Sequence, residues 1–253
     1  MSLRLVEVGE DAAISVNDFG DPHGFPIVVN HGMIASIEDC DLFARLVGGG
    51  RRVICIARPG YGESSPFELA NVGEWGTVAA GVLKKLNIEE FDVLGLSSGA
   101  PYSYAMAHEM PETSRNVYIF SGTPALFDER VVSQWPYPMD ANARLPDLQK
   151  LAKDLFFSNV QDKENKAIQD SCRHDCFGVA LDLKIRCQDW GFYLPDIKTR
   201  VIMEHGMQDT SVPFATAEMT SRMLGNCVLT KRMSGDHFSA ELLNEFFKNI
   251  VHV

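Results

Sequence analysis

The 253-residue chain lacks the features that mark exported and membrane-spanning proteins. Its first residues carry charge at Arg4, Glu7, Glu10 and Asp11, with no apolar core behind a basic start, so we expect no secretory signal. No apolar run approaches the roughly 18–20 residues that a membrane span needs. These absences favour a protein that stays in the cytoplasm.

Basic residues are scarce relative to acidic ones. The chain has 23 Lys and Arg against 34 Asp and Glu, for a formal net charge of −11, and no basic cluster stands out. Such a chain repels phosphate backbones and anionic lipid headgroups. We therefore expect neither a nucleic-acid partner nor a membrane-surface role.

The six cysteines are too scattered for a disulfide framework, which favours reduced thiols. Cys55, for example, lies inside an apolar, strand-like run. Cys172 and Cys176 flank His174, but on a helix the two thiols would share a face that His174 does not, and no second ligand pair lies nearby. The sequence therefore predicts no metal site here.

What the chain does contain is an alternation of short apolar strands with amphipathic helical stretches, in an ordinary globular composition of 45% hydrophobic and 23% charged residues. The predicted strands are Leu3–Val8 and Ala13–Phe19, as an antiparallel pair, then Ile27–Asn30, Val53–Ala57, Phe91–Leu96, Val117–Phe120 and Val201–Met203. The predicted helices are Glu38–Val47, Glu74–Leu86, Ala100–His108, Ala215–Met223 and Ser239–Ile250. Consecutive apolar residues in the later strands are typical of a parallel sheet buried on both faces. The order predicts a mostly parallel, doubly wound α/β fold.

The alternation breaks once, from about Pro124 to Pro195, where aromatic residues are frequent and no parallel-type strand is predicted. Helical spacing occurs in Leu148–Phe157 and Ala167–Cys187. We expect a helical insertion after the sixth strand, over the carboxyl edge of the sheet. The chain would then divide into a core of residues 1–123 and 198–253 and an insertion of residues 124–197.

Gly95-Leu96-Ser97-Ser98-Gly99 matches the pattern G-x-S-x-G, which is a weak signal on its own. Here it follows a predicted strand and precedes a helix-compatible run, the strand–turn–helix setting of a nucleophile elbow. Glycines at its two ends avoid collisions with neighbouring backbone. The alternative is a Ser/Gly turn without chemical use, but the setting favours Ser97 as a nucleophile.

A serine hydroxyl needs a base to take its proton, and the base must itself be oriented. In this fold the chain order is serine, acid, histidine. Asp209, after the last predicted strand, and His237, before the last helix, fit that order. Asp236 and Glu204 are the alternative acids; Asp236 would have to curl back onto the neighbouring imidazole, and Glu204 reads as a strand-end carboxylate.

Acyl transfer also needs donors for the oxyanion that develops on the carbonyl. We expect one to be the backbone N–H of Ser98, the residue after the nucleophile. The second is expected from the loop after the third strand, at the N–H of Met33, whose side chain would help to line an acyl pocket.

Taken together, these segments resemble the α/β-hydrolase superfamily, in particular its compact, single-cap, esterase-like branch. The resemblance is carried, in family order, by His31-Gly32, Arg58–Ser64, Gly95–Gly99, His205-Gly206 with Asp209 and Val212-Pro213, and Gly235 with His237. It implies that the insertion is a cap and that the oxyanion loop begins at His31-Gly32. Ala57 stands where many relatives have Asp, and Ser97 replaces the nucleophilic Asp of haloalkane dehalogenases and epoxide hydrolases, which argues against those two activities.

The residues and the resemblance together predict a serine hydrolase that cleaves a carboxylic ester, or a related acyl bond, of a small-to-medium apolar substrate without metal or cofactor. Four cap aromatics, Trp135, Tyr137, Trp190 and Phe192, are the predicted pocket roof. The alternatives are a ligand-binding, receptor-like member, or a cofactor-free lyase or oxygenase on the same scaffold. The sequence indicates no oligomeric state.

Overall fold

A computed structural model describes residues 2–162 and 164–251. The strands of this part are β1 (Ser2–Glu7), β2 (Ala13–Gly20), β3 (Pro26–Asn30), β4 (Arg52–Ile56), β5 (Phe91–Leu96), β6 (Ser114–Phe120), β7 (Arg200–Gly206) and β8 (Cys227–Arg232). They form one sheet in the order β1-β2-β4-β3-β5-β6-β7-β8. The pairs β1–β2 and β2–β4 are antiparallel and the others are parallel. The predicted mostly parallel sheet is confirmed.

The α-helices of the described residues are α1 (Ala44–Gly48), α2 (Glu74–Lys85), α3 (Ala100–Glu109), α4 (Glu129–Val132), α5 (Leu145–Ala152), α6 (Lys166–Ile185), α7 (Phe214–Ser221) and α8 (Ala240–Val251). Neighbouring residues of a central strand point to opposite faces of the sheet. Val28 of β3 lies in the core with α2, α3 and α7, whereas Ile27 and Val29 lie in the core with α1 and α8. Burial on both faces explains why the parallel strands are apolar at consecutive positions.

Strand β8 was not predicted from the sequence. It lies at the edge of the sheet beside β7, and its residues alternate between half-buried and exposed positions over most of its length. Thr230, Lys231 and Arg232 make it look polar. A search for continuous apolar runs misses such an edge strand, because only one side of it needs to be apolar.

Helices α4, α5 and α6 lie between β6 and β7, where the insertion was predicted. Within α6 the backbone leaves the helical conformation at Arg173–Cys176, and His174, Asp175 and Cys176 have φ of 50°, 63° and 62°. The expectation that Cys172 and Cys176 share one face of a regular helix is therefore wrong. Among the described residues, no three His, Cys, Asp or Glu side chains are grouped to hold a metal ion. In the same part of the chain, no helix combines the length and apolarity needed to cross a bilayer.

Candidate active site

Ser97 follows directly on the last residue of β5. It opens a short 3-10 turn, Ser97–Gly99, that leads into α3. Its φ is +50°, in the left-handed region that residues other than glycine rarely adopt, and its side chain is nearly buried. This strained strand-to-helix turn presents the hydroxyl at the carboxyl edge of the sheet, as a nucleophile elbow does.

The two glycines of the elbow are required by close approach. A methyl group on Gly99 would lie 2.0 Å from the carbonyl oxygen of Asn30, and one on Gly95 would lie 2.6 Å from Ser103 Oγ. Both distances are far below van der Waals contact. The elbow therefore packs against β3 and α3 only if these positions carry no side chain.

The structure brings the three predicted side chains together. His237 lies on the loop between β8 and α8, with Nε2 2.8 Å from Ser97 Oγ and Nδ1 2.7 Å from Asp209 Oδ2. A carboxylate only accepts hydrogen bonds, so Nδ1 carries the proton and Nε2 is left with a lone pair. That lone pair faces the Ser97 hydroxyl.

Asp209 lies on the loop after β7 and is buried. Its Oδ1 accepts the backbone N–H groups of Ser211 (2.9 Å) and Val212 (2.7 Å). His205 Nε2 is hydrogen-bonded to the carbonyl of Val212, 2.8 Å away, and also lies 3.2 Å from Asp209 Oδ2. Burial opposes ionisation, but the hydrogen bonds from His205, His237 and Val212 more than offset it, so the pKa of Asp209 lies well below its usual value. His205 was named only as part of the segment that carries the resemblance, and its contact with the acid was not predicted.

The two alternative acids do not contact the imidazole. Glu204 pairs with Arg232 on β8, at 2.8 Å, and Asp236 is exposed. The loops that carry the predicted acid and base are joined by a hydrogen bond from Gln208 N–H to the carbonyl of Gly235, 3.2 Å long. Of the candidate carboxylates, Asp209 is the one placed to orient His237.

Hydrogen bonds from Arg58 hold the loop that follows β3. The Arg58 guanidinium donates to the carbonyls of His31 (2.6 Å) and Gly32 (3.0 Å). Burial, and then the nearby Arg58 charge, lower the pKa of His31 well below its usual value. The neutral ring accepts the backbone N–H of Arg58 at Nε2, 3.2 Å away, and donates from Nδ1 to the Gly32 carbonyl, 2.7 Å away. With these carbonyls held, the N–H of Met33 meets no acceptor among the described residues.

Arg58 is in turn held by helix α6. Its Nε and Nη2 lie 3.1 and 2.6 Å from the two carboxylate oxygens of Asp182, which also accept hydrogen bonds from the hydroxyls of Tyr61 (2.9 Å) and Tyr102 (2.6 Å). Burial opposes the charge on Arg58, but Asp182 raises its pKa above the usual value. Arg58 belongs to a motif visible in the sequence, but Asp182 was not predicted, because 124 residues separate the partners and no local pattern links them.

The predicted pocket aromatics separate into two pairs. Tyr137 is exposed, and its hydroxyl donates to the carbonyl of Thr210, next to the acid, while Trp135 packs edge-on against the Tyr137 ring. Trp190 and Phe192 are instead 1% and 7% exposed in the core. Their place in the pocket stays a prediction.

The contacts of Trp190 and Phe192 explain why both rings are buried. The Trp190 ring lies against Tyr104 and Phe127, and its N–H donates to the carbonyl of Arg186. Phe192 packs on His108, at the end of α3 remote from Ser97. Aromatic content alone did not indicate which rings face the core.

Comparison with known proteins decides the family. The model of the alpha/beta hydrolase family matches residues 23–241 of the chain. The chain belongs to this family. This α/β hydrolase is 25% identical to the 2-hydroxymuconate semialdehyde hydrolase of Pseudomonas sp. (strain CF600) over 230 residues, 83% of this chain and 81% of the relative.

Solved structures show the same fold. An esterase from Exiguobacterium antarcticum superposes on the α/β hydrolase with a TM-score of 0.76 at 19% identity, covering 98% of this chain and 99% of the other. An enol-lactonase from Burkholderia xenovorans LB400 has a TM-score of 0.69 at 18% identity and covers 98% of both chains. At these identities the likeness concerns the fold, and the chemistry depends on the site.

Proposed function

We propose that the protein is a serine hydrolase that cleaves a carboxylic ester, or a related acyl bond, of a small-to-medium apolar substrate through an acyl-enzyme. The observation that carries the proposal is the position of the His237 imidazole, 2.8 Å from the Ser97 hydroxyl and 2.7 Å from the Asp209 carboxylate. Nucleophile, base and orienting acid are thus in contact in the order that acyl transfer requires.

In this mechanism Ser97 Oγ attacks the substrate carbonyl carbon while His237 Nε2 takes the hydroxyl proton. Asp209 keeps the imidazole in the tautomer with the proton on Nδ1 and stabilises the imidazolium once it forms. His237 then gives its proton to the departing alcohol. Water, deprotonated by the same imidazole, then attacks the acyl carbon; the bond to Ser97 Oγ breaks, Oγ takes the proton back from His237, and the carboxylic acid leaves.

The carbonyl oxygen gains negative charge in both steps and needs donors that are already oriented. The N–H of Met33 is one donor, since Arg58 holds the two preceding carbonyls away from the site. The N–H of Ser98 is the other. It lies in the 3-10 turn of the elbow, which leads into α3. At a helix start the N–H groups have no intrahelical acceptor, and the helix dipole favours negative charge.

The nucleophile is tested by Ser97→Ala on p-nitrophenyl butyrate. Removing the triad serine of a comparable hydrolase lowers kcat by about 10⁶-fold, so we expect activity to fall to the blank rate. Ser158→Ala, on the exposed surface, is the control and should retain it. Activity that survives Ser97→Ala would remove the assignment, and a folded wild-type protein without turnover would favour the ligand-binding alternative.

The acid is tested by Asp209→Asn with Asp236→Asn as the matched control. An amide favours the wrong imidazole tautomer, so kcat should fall by about 10⁴-fold in Asp209→Asn, and Asp236→Asn should behave as wild type. Equal losses in the two variants would contradict the assignment.

The same Asp209→Asn variant makes a pH prediction. A carboxyl whose pKa is lower in the folded than in the unfolded state stabilises the fold above its unfolded pKa of about 3.9, and this stabilisation is lost as the pH falls below that value. Because the pKa of Asp209 is lowered on folding, the advantage of wild type over the variant in urea unfolding should shrink as the pH falls below about 4. An advantage as large at about pH 2 as at about pH 4 would contradict it.

A further inference from the structure

A cavity of about 200 Å³ lies beside the oxyanion loop, on the side of the sheet covered by α1 and α8. Its floor is formed by Val29, Phe43, Cys55 and Leu96, all of them buried. None of the four aromatics predicted to line the pocket borders it. The cavity is therefore separate from the roof that the sequence suggested.

The cavity adjoins the reacting groups through two of its walls. Gly32 lines it, and a methyl group placed on Gly32 would lie 3.8 Å from Ser97 Cβ and 3.9 Å from the tip of the Phe238 ring. Phe238 also lines it and packs edge-on against the neighbouring His237 imidazole, with ring centroids 4.6 Å apart. Only Gly32 therefore lies between Ser97 and this part of the cavity, and a group bonded to a substrate carbonyl at Ser97 Oγ can reach it.

The lining indicates an apolar occupant. The polar groups in the wall are already hydrogen-bonded within the protein: Ser36 Oγ donates to Asp170, the Asp39 carboxylate accepts the N–H of Leu42, and His31 pairs with Gly32. Ile34, Leu42 and Phe238, at the rim, rank among the exposed large apolar side chains. Apolar side chains grouped around a concavity mark ligand sites more than scattered ones do.

We propose that this cavity binds one apolar arm of the ester, a phenyl ring or a straight chain of about four to six carbons. The proposal rests on the proposed function. An engineered apolar cavity of about 150 Å³ in another protein holds benzene, so 200 Å³ is sufficient for such a group. The small side chains of Ala35 and Ala167 leave this space open.

Two ester series test which arm enters the cavity: p-nitrophenyl esters of acids with two to eight carbons, and acetate esters of alcohols of the same lengths. In the series whose variable arm enters the cavity, kcat/KM should rise about fourfold per methylene and level off near six carbons. Ala167→Leu, which adds three carbons to the wall, should lower the ratio of six-carbon to two-carbon rates in that series about tenfold. Ala143→Leu, in a different depression of the inserted helices, is the control and should leave the ratio unchanged.

Titration of the Ser97→Ala variant with benzene measures the cavity without any turnover. We expect benzene to bind, and Ala167→Leu in the same background to weaken binding at least tenfold. Benzene binding in a protein that hydrolyses no ester would support the cavity while the proposed function fails. Ester hydrolysis with no benzene binding, and with a chain-length profile that Ala167→Leu does not change, would overturn the cavity and leave the function standing.

Discussion

Helix α6 and the stretch that precedes it, residues 134–158, called here the outer stretch, belong to the same insertion but meet the core in opposite ways. Asp182 of α6 is buried in an ion pair with Arg58. Nearer the start of the helix, Asp170 accepts the Ser36 hydroxyl and Ser171 Oγ accepts the N–H of Ala35. These contacts reach the loop that follows β3.

The outer stretch carries exposed groups instead. Leu155 is 64% exposed and Tyr137 is 47% exposed, and the ion pair of Arg144 with Asp147 lies in solvent. A hydrogen bond from Tyr137 to the carbonyl of Thr210 reaches the core from an exposed ring. The difference teaches that α6 supports the loop after β3 through buried polar contacts, while the outer stretch reaches the acid loop through one exposed hydrogen bond.

The largest expected effect is that of Asp182→Asn. It leaves the buried Arg58 guanidinium without a countercharge, which costs about 3–5 kcal/mol, and it loosens the carbonyls that Arg58 holds. A displacement of about 1 Å in such a loop lowers kcat/KM by about 10²-fold. Urea unfolding and ester kinetics measure the two losses.

Its control is Asp147→Asn in the exposed pair of the outer stretch, which should change neither quantity measurably. Tyr102→Phe keeps the comparison testable if Asp182→Asn does not fold, because it removes one hydrogen bond from the carboxylate and keeps its charge. Wild-type activity in Tyr102→Phe and in a folded Asp182→Asn protein would show that α6 does not support the loop.

An intermediate effect is expected for Ser36→Ala, which removes the 2.5 Å hydrogen bond to Asp170 near the start of α6. A hydrogen bond to a charged group contributes about 1.5–3 kcal/mol, so the variant should unfold at lower urea. Ser158→Ala removes an exposed hydrogen bond to the carbonyl of Asp154 in the outer stretch and should shift the midpoint less. The reverse ranking would contradict the comparison.

The smallest effect is expected for Tyr137→Phe. The variant loses one exposed hydrogen bond, so its unfolding free energy should stay within about 0.5 kcal/mol of wild type. Steady-state kinetics should show kcat/KM within about threefold, since 0.5 kcal/mol corresponds to little more than a twofold change. A loss of tenfold or more would show that the outer stretch positions the acid loop as firmly as α6 positions the oxyanion loop.

The parts of the fold that could be predicted are those with a local signal. The bounds of Phe91–Leu96 are those observed, because six consecutive buried residues leave a continuous pattern. Strand β8 escaped prediction because it lies at an edge, and the interruption at Arg173–Cys176 carries neither glycine nor proline to mark it.

The site divides in the same way. The meeting of Ser97, Asp209 and His237 could be predicted because each lies at a strand end or before a helix in the order that the fold imposes. The contact of Asp182 with Arg58 could not be predicted, because the partners lie far apart in the chain, and the core packing of Trp190 could not, because aromatic composition does not tell a core ring from a pocket ring. Local pattern predicts which three side chains meet at the end of β5, and the groups that support them emerge only from packing.

The central claim is that His237 and Asp209 activate the Ser97 hydroxyl. Intact-mass analysis after treatment with a fluorophosphonate tests it most directly, since the reagent needs an activated serine and no particular substrate. We predict one phosphonyl group per chain, located on Ser97, absent from Ser97→Ala and formed at least 10²-fold more slowly in Asp209→Asn. A folded wild-type protein that stays unlabelled, or a Ser97→Ala variant labelled as fast as wild type, would contradict the account.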